Sequence, residues 1–236
     1  MGLPKINAPK YRMTIPSSGK EVEFRPYLVR EEKILMMAME AEDEKQMSTA
    51  ITDIVEACTF GELNINKLAL FDIEYMFSQL RAKSVGEKTK VLIPCSADGC
   101  EEKNEVEINL ESDIKVTELP NNKIELTDNT GLIMKFPSVA DYMDIVNSDK
   151  TTIDKIFLTV AASIDSIYSG DEMFDSADHS KDELIAFIEN LNSDQFNKVK
   201  AYLDKSPYAY MNVNFKCSKC GHNNDIELKG LGNFFN

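Results

Sequence analysis

Two cysteine pairs far apart in the chain constrain the fold more than any other feature. They read Cys95-Ser-Ala-Asp-Gly-Cys100 and Cys217-Ser-Lys-Cys220-Gly221-His222, and each lies between two short runs that alternate apolar and polar residues. A tight turn between paired strands lets both sulfurs of a pair point at one ion, and Gly99 and Gly221 permit the left-handed backbone such turns often need. If Cys95, Cys100, Cys217 and Cys220 share that ion, the strands around residues 90, 105, 213 and 226 must be neighbours, and everything between them is an excursion closed at its base. Four thiolates leave no open coordination position, so the expected site is structural zinc. The sequence accommodates one shared ion or two separate knuckles. Disulfides are disfavoured for a chain made and kept among reduced thiols, and a redox Cys-x-x-Cys should open a helix rather than precede a polar, strand-rich stretch. His222 is a fifth candidate, read as a neighbour of the ligands or as exposed. Cys58, alone on an apolar helical face, reads as a small buried hydrophobe.

Composition narrows the function. The 236 residues, 43% hydrophobic and 28% charged, suit a globular chain of one large domain or two small ones. No apolar run approaches the roughly 20 residues needed to span a bilayer, and Met1-Gly2-Leu3-Pro4-Lys5 lacks the apolar stretch of a secretion signal. A net charge of −14 argues against binding the phosphate backbone of nucleic acid. The charge is uneven. Residues 1–30 carry Lys5, Lys10, Arg12, Lys20, Arg25 and Arg30 against Glu21 and Glu23, whereas Asp165 to Glu183 holds seven carboxylates against Lys181. That stretch reads either as a solvated acidic loop or as a docking patch for a basic partner through Asp171, Glu172 and Asp175.

The patterning is that of an α+β chain. An arm over residues 1–9 precedes a hairpin and helical region over 10–86; residues 87–110 and 207–230 supply the zinc-ribbon-like strands, 111–206 an inserted α+β region, and 231–236 a tail. The hairpin pairs Tyr11–Ile15 with Glu21–Phe24 around Pro16-Ser17-Ser18-Gly19. Helical faces follow: Ile34, Leu35, Ala38 and Met39; then Ile51, Ile54, Val55 and Cys58; then Leu70, Ile73, Phe77 and Leu80. Met36, Met37, Met39 and Met47 read as gap fillers or as an adaptable groove. Ser138 caps a short helix. A longer one capped by Thr151 or Thr152, with Ile153, Ile156, Phe157, Val160, Ile164 and Ile167 on one face, is expected to be the most buried helix of the chain, and Ser180-Lys181-Asp182-Glu183 is a capping box opening another. Phe234 and Phe235, after Gly230 and Gly232, read as an aromatic tip that contacts a partner or folds back.

The strings Leu3-Pro4-Lys5-Ile6-Asn7, Ile15-Pro16-Ser17-Ser18-Gly19-Lys20, Arg25-Pro26-Tyr27-Leu28-Val29-Arg30-Glu31-Glu32-Lys33-Ile34-Leu35, Cys58-Thr59-Phe60-Gly61 and Leu80-Arg81-Ala82-Lys83-Ser84-Val85-Gly86-Glu87 resemble those of the baseplate hub assembly proteins of T4-like contractile-tailed bacteriophages. The resemblance implies a late viral protein that helps build the hub of the tail baseplate in the host cytoplasm, as a chaperone or as a component retained in the virion, with other hub or tail proteins as partners. It supplies no catalytic residues. Arg25, Pro26 and Tyr27 read as a fixed connection or as a partner surface. With two histidines, no phosphate loop and no nucleophile elbow, nothing points to an enzyme. A zinc-ribbon nucleic-acid-binding regulator, supported by Lys216, Lys219 and Lys229, is the alternative.

Overall fold

A computed structural model of the chain describes residues 8–41 and 43–230. It is α+β, and its contacts divide it into two units: Met1–Ile65, Phe71–Thr117 and Tyr208–Asn236 form the first, Asn66–Leu70 and Glu118–Pro207 the second.

The first unit opens with the hairpin of β1 (Tyr11–Thr14) and β2 (Glu21–Phe24), in which Tyr11 stands opposite Phe24. Alternation buries Met13, Ile15, Val22 and Phe24. Helix α1 (Val29–Glu40) begins without a capping hydroxyl; instead the Glu31 carboxylate reaches back to the Leu28 amide at 2.8 Å. Its buried stripe is Glu31, Leu35 and Ala38. Ile34 and Met39, expected in the core, are exposed, as are Met36 and Met37, so the methionines of α1 fill no core gap. Helix α2 (Glu44–Cys58) buries Ala50, Ile54, Val55 and Cys58, and α3 (Leu70–Val85) buries nine side chains, from Phe71 to Ala82. Leu70 itself is exposed.

Arg25 joins these pieces. Its guanidinium donates to the Glu31 carboxylate at 3.0 Å and to the Ala57 carbonyl at 3.4 Å, while its amide donates to the Cys58 carbonyl at 3.0 Å. A cation thus meets the electron-rich end of α2 and the acid near the start of α1. Both ionic side chains are at most 10% exposed. Tyr27 is buried too, with its amide on the Ser84 hydroxyl at 2.9 Å. Arg25 and Tyr27 are therefore engaged inside the fold.

The chain then forms β3 (Lys88–Pro94), β4 (Lys103–Asn109) and the short β5 (Lys115–Val116), and enters the second unit. There β6 (Lys123–Glu125) and β7 (Thr130–Met134) precede α4 (Val139–Val146) and α5 (Thr152–Ala162); β8 (Ile164–Ser169) and β9 (Glu172–Asp175) follow, then α6 (Lys181–Glu189) and α7 (Ser193–Leu203). The four strands make an antiparallel sheet in the order β6-β7-β8-β9. Ile124, Leu132, Met134 and Ile164 of the sheet share a core with Val160, Leu184, Ile188, Val199 and Tyr202 of the helices. Each such side chain contributes about 1.5–3 kcal/mol by leaving water. Gly131 of β7 has no room for a Cβ, because the Ile124 carbonyl and the Tyr168 ring already occupy the space.

Three expectations fail here. The helix after Thr151 ends at Ala162, where the Ser163 hydroxyl donates to the Thr159 carbonyl at 2.7 Å, and Ile164 and Ile167 continue as β8. In Ile164-Asp-Ser-Ile-Tyr-Ser the apolar residues do not alternate, and it is the ladders with the neighbouring strands β7 and β9 that override the helical spacing. Consequently α5 is not the most buried helix: Ile153 and Ile156 are exposed, and α3 buries more. Finally, Asp165 to Glu183 is not a loop but most of β8, all of β9 and the start of α6.

The last strands, β10 (Ala209–Lys216) and β11 (Asn223–Lys229), return to the first unit, where β10 pairs with both β11 and β5. Residues 1–7, the tail 231–236 and with it Phe234 and Phe235 lie outside the described residues. Among the described residues no helix is long and apolar enough to cross a membrane.

The Arg25–Glu31 pair makes a prediction. Burial raises the Glu31 pKa, but the hydrogen bonds from Arg25, Arg30 and the Leu28 amide, with the Arg25 charge, outweigh it and hold the pKa at about 2. A depressed folded-state pKa stabilises above the unfolded value of 4.5 and loses that stability as pH falls from there toward 2. Urea unfolding of E31Q should show a loss of about 3 kcal/mol at pH 7, and a smaller loss relative to the wild type at pH 3. An equal loss at both values would assign the effect to packing alone.

Candidate metal centre

The four cysteines of the two knuckles stand on two separate hairpin ribbons of the first unit, the second of which also pairs with β5. The β3–β4 hairpin carries Cys95 and Cys100 in its turn, and the β10–β11 hairpin carries Cys217 and Cys220. The ribbons share no backbone ladder. Their inner faces meet instead through Val91, Ile93 and Ile108 on one side and Met211 and Val213 on the other, with Leu110, Ile114 and Ala209 in the same core.

Both turns are closed in the same way. The Cys95 amide donates to the Glu102 carbonyl at 2.8 Å, and the Cys217 amide to the His222 carbonyl at 2.8 Å. Gly99 and Gly221 both adopt left-handed backbone, with φ of 75° and 76°. The result gathers four sulfurs within 4.8 Å of one another. Across the ribbons, Cys95 Sγ is 3.7 Å from Cys220 Sγ and Cys100 Sγ is 3.8 Å from Cys217 Sγ. A tetrahedral ion with metal–sulfur bonds of about 2.3 Å requires sulfurs roughly 3.8 Å apart, so the four residues fit such an ion. Cys95 and Cys217 are buried, Cys100 is half-buried and Cys220 is exposed. His222 contributes its carbonyl to the turn, and the converging group is all cysteine.

The thiols also conflict electrostatically. The amides of Cys220 and Lys219, with Asn104, pull the Cys217 pKa down against desolvation. The His222 amide acts to lower that of Cys220, but burial and the neighbouring sulfurs of Cys100, Cys217 and Cys95 outweigh it and raise it. A divalent cation removes this conflict, because it lets all four sulfurs carry charge together.

Cys58 is apart from this group, buried at the end of α2, and burial pushes its thiol up to about 11. It is core. On the second unit, Glu172 and Asp175 lie exposed on the edge strand β9, and Asp171 sits in the turn before it. The Asp175 carboxylate accepts the Ala177 amide at 2.8 Å. Glu172 and Phe174 line a cleft of about 410 Å³ with Ile167, His179, Glu183 and Phe187. Of the three lysines noted beside the knuckles, Lys229 pairs with Glu227 at 3.2 Å.

Two site residues escaped the sequence reading: Asn104 and Asn224, buried polar side chains in β4 and β11. Asn104 Nδ2 lies 3.6 Å from Cys217 Sγ. The Asn224 carbonyl oxygen accepts the Ser96 amide at 2.7 Å. Their signal in the sequence is a shared position, the second residue of the strand that leaves each knuckle.

Occupation of the four-thiol group by a metal ion predicts that C95S or C217S costs about 3 kcal/mol or more and removes the response of the melting temperature to a strong chelator. Differential scanning calorimetry with and without chelator checks this. Wild-type protein that melts identically in both conditions would contradict it.

No curated protein and no solved structure matches the chain. The family model described as T4 bacteriophage base plate protein matches residues 8–236. That match takes in both units and both knuckles, and the chain belongs to the T4 bacteriophage base plate protein family.

Proposed function

We propose that this protein serves in assembly of the baseplate hub, binding other hub or tail proteins in the host cytoplasm rather than turning over a substrate, and that its four cysteines hold one structural zinc ion. The family match over residues 8–236 carries the first part of this reading. The all-sulfur donor set carries the second, since four thiolates in a tetrahedron suit zinc and leave no position for water or substrate. The ion then fixes two ribbons to each other and performs no chemistry.

The contact surface we favour is the acidic edge of the second unit. Among the described residues strand β9 is the last of its sheet, with no strand partner on one side, and Met173 and Phe174 are exposed beside Glu172. Its carboxylates suit an extended basic segment of a partner, paired along the edge. The tail, with Phe234 and Phe235, is a second proposed contact.

Affinity capture of tagged protein from infected cells should recover hub or tail proteins. The variant D171N/E172Q/D175N should associate with the recovered partner more slowly at low salt and equal the wild type at high salt. Deletion of residues 231–236 should reduce recovery without lowering the melting temperature. Capture that yields no tail protein would overturn the reading, and salt-independent association would assign Asp171, Glu172 and Asp175 to solvation. Mass spectrometry of purified virions separates the two forms of the proposal: presence makes the protein a retained component, absence a chaperone.

A further inference from the structure

The two knuckles differ in length and share little sequence, yet the hydrogen bonds around them repeat. Asn104 and Asn224 each stand opposite the residue two before the first cysteine of their own knuckle, Ile93 and Phe215 respectively. Each amide nitrogen faces the carbonyl two residues before it: Asn104 Nδ2 to Glu102 at 3.5 Å, and Asn224 Nδ2 to His222 at 3.2 Å. Those two carbonyls are the ones that accept the amides of Cys95 and Cys217. Each side-chain oxygen then crosses to the other ribbon. Asn104 Oδ1 accepts the Ser218 amide at 2.8 Å, and Asn224 Oδ1 accepts the Ser96 amide at 2.7 Å and the Ser96 hydroxyl at 2.8 Å. Ser96 and Ser218 both directly follow the first cysteine of their knuckle. The pattern is a pseudo-twofold exchange in which each ribbon holds the other's cysteine turn.

We infer that Asn104 and Asn224 are positioning residues, forming a reciprocal clasp that gathers the four thiols into one group before a metal ion arrives. The function of the clasp rests on reading the thiols as a metal site; its existence does not. Both asparagines are at most 7% exposed, and each satisfies its own amide while supplying an acceptor across the ribbons. A buried amide with its partners in place resists rearrangement, because breaking the exchange strands polar groups away from water. The metal therefore locks an assembled site rather than recruiting loose loops. Asn104 Nδ2 also lies within reach of Cys217 Sγ, which orients that ligand, as outer hydrogen bonds commonly do at metal sites.

The amides of Ser96 and Ser218 report on the clasp directly. In full-length protein stripped with chelator and kept reduced, hydrogen exchange followed by NMR should show both amides protected at least about ten-fold over unprotected rates. N224A should release Ser96, and N104A should release Ser218, while amides of the β10–β11 ladder stay protected and show that the variants are folded. N224D keeps the acceptor and should restore protection of Ser96. With Co²⁺ as probe, either alanine variant should lose the ion to chelator about 10- to 100-fold faster than the wild type, at an unchanged sulfur-to-cobalt charge-transfer band. Ser96 and Ser218 amides that exchange freely in metal-free wild type and become protected only on adding Co²⁺ would overturn the clasp while leaving the metal site standing. Protected amides in a protein that binds no Co²⁺ would uphold the clasp and remove the metal reading instead.

Discussion

The meeting of two cysteine turns that lie 117 and 125 positions apart, measured between the facing sulfurs, is the constraint on which the first unit depends. Closing so long a loop costs conformational entropy, although the cost grows only logarithmically with length, at about 0.6 kcal/mol per doubling. Three things offset it in the same place. The apolar faces of the ribbons meet, the asparagines exchange hydrogen bonds across them, and four thiols converge. The segment that leaves the first unit also returns to where it left. The Thr117 amide donates to the Tyr208 carbonyl at 3.2 Å, and the Tyr208 amide to the Thr117 hydroxyl at 3.2 Å. The segment Glu118–Pro207, which holds the sheet and core of the second unit, thus starts and ends beside a paired Thr117 and Tyr208.

Much of this was legible in the sequence where the governing interactions are local. Ser138, Thr151 and Ser180 each accept the amide three residues on and receive a carboxylate in return, and the sequence shows both partners side by side. Period-two alternation placed the β1–β2 hairpin and the ribbons, and glycine placement marked both cysteine turns. The failures lie where tertiary pairing decides. Ile164 and Ile167 fit the face of α5 at helical spacing, but β7 and β9 offer two ladders, and the strand wins. Ile34 and Met39 obey the helical period, yet α1 buries only the narrow face that carries Glu31, a residue that looks solvent-facing until Arg25 is seen beside it. Asn104 and Asn224 share a position in the sequence, but the groups that make them necessary are more than 100 residues away.

The same contrast separates the two kinds of surface. Arg25 and Tyr27 belong to a conspicuous string, but the Arg25 side chain is engaged with α1 and α2 and Tyr27 is buried, its amide held by Ser84 of α3. The acidic residues of β9 stand out in sequence only as a run of charge, and they lie on a sheet edge beside a cleft lined in part by Ile167, Phe174, Leu184 and Phe187.

Metal content and local geometry test the central claim most directly. X-ray absorption at the zinc edge, on full-length protein purified under reducing conditions, should show about one zinc per chain with four sulfur neighbours at about 2.3 Å and no nitrogen or oxygen neighbours. Fewer than four sulfurs, or protein that takes up no zinc, would contradict the assignment of Cys95, Cys100, Cys217 and Cys220 to one closed site.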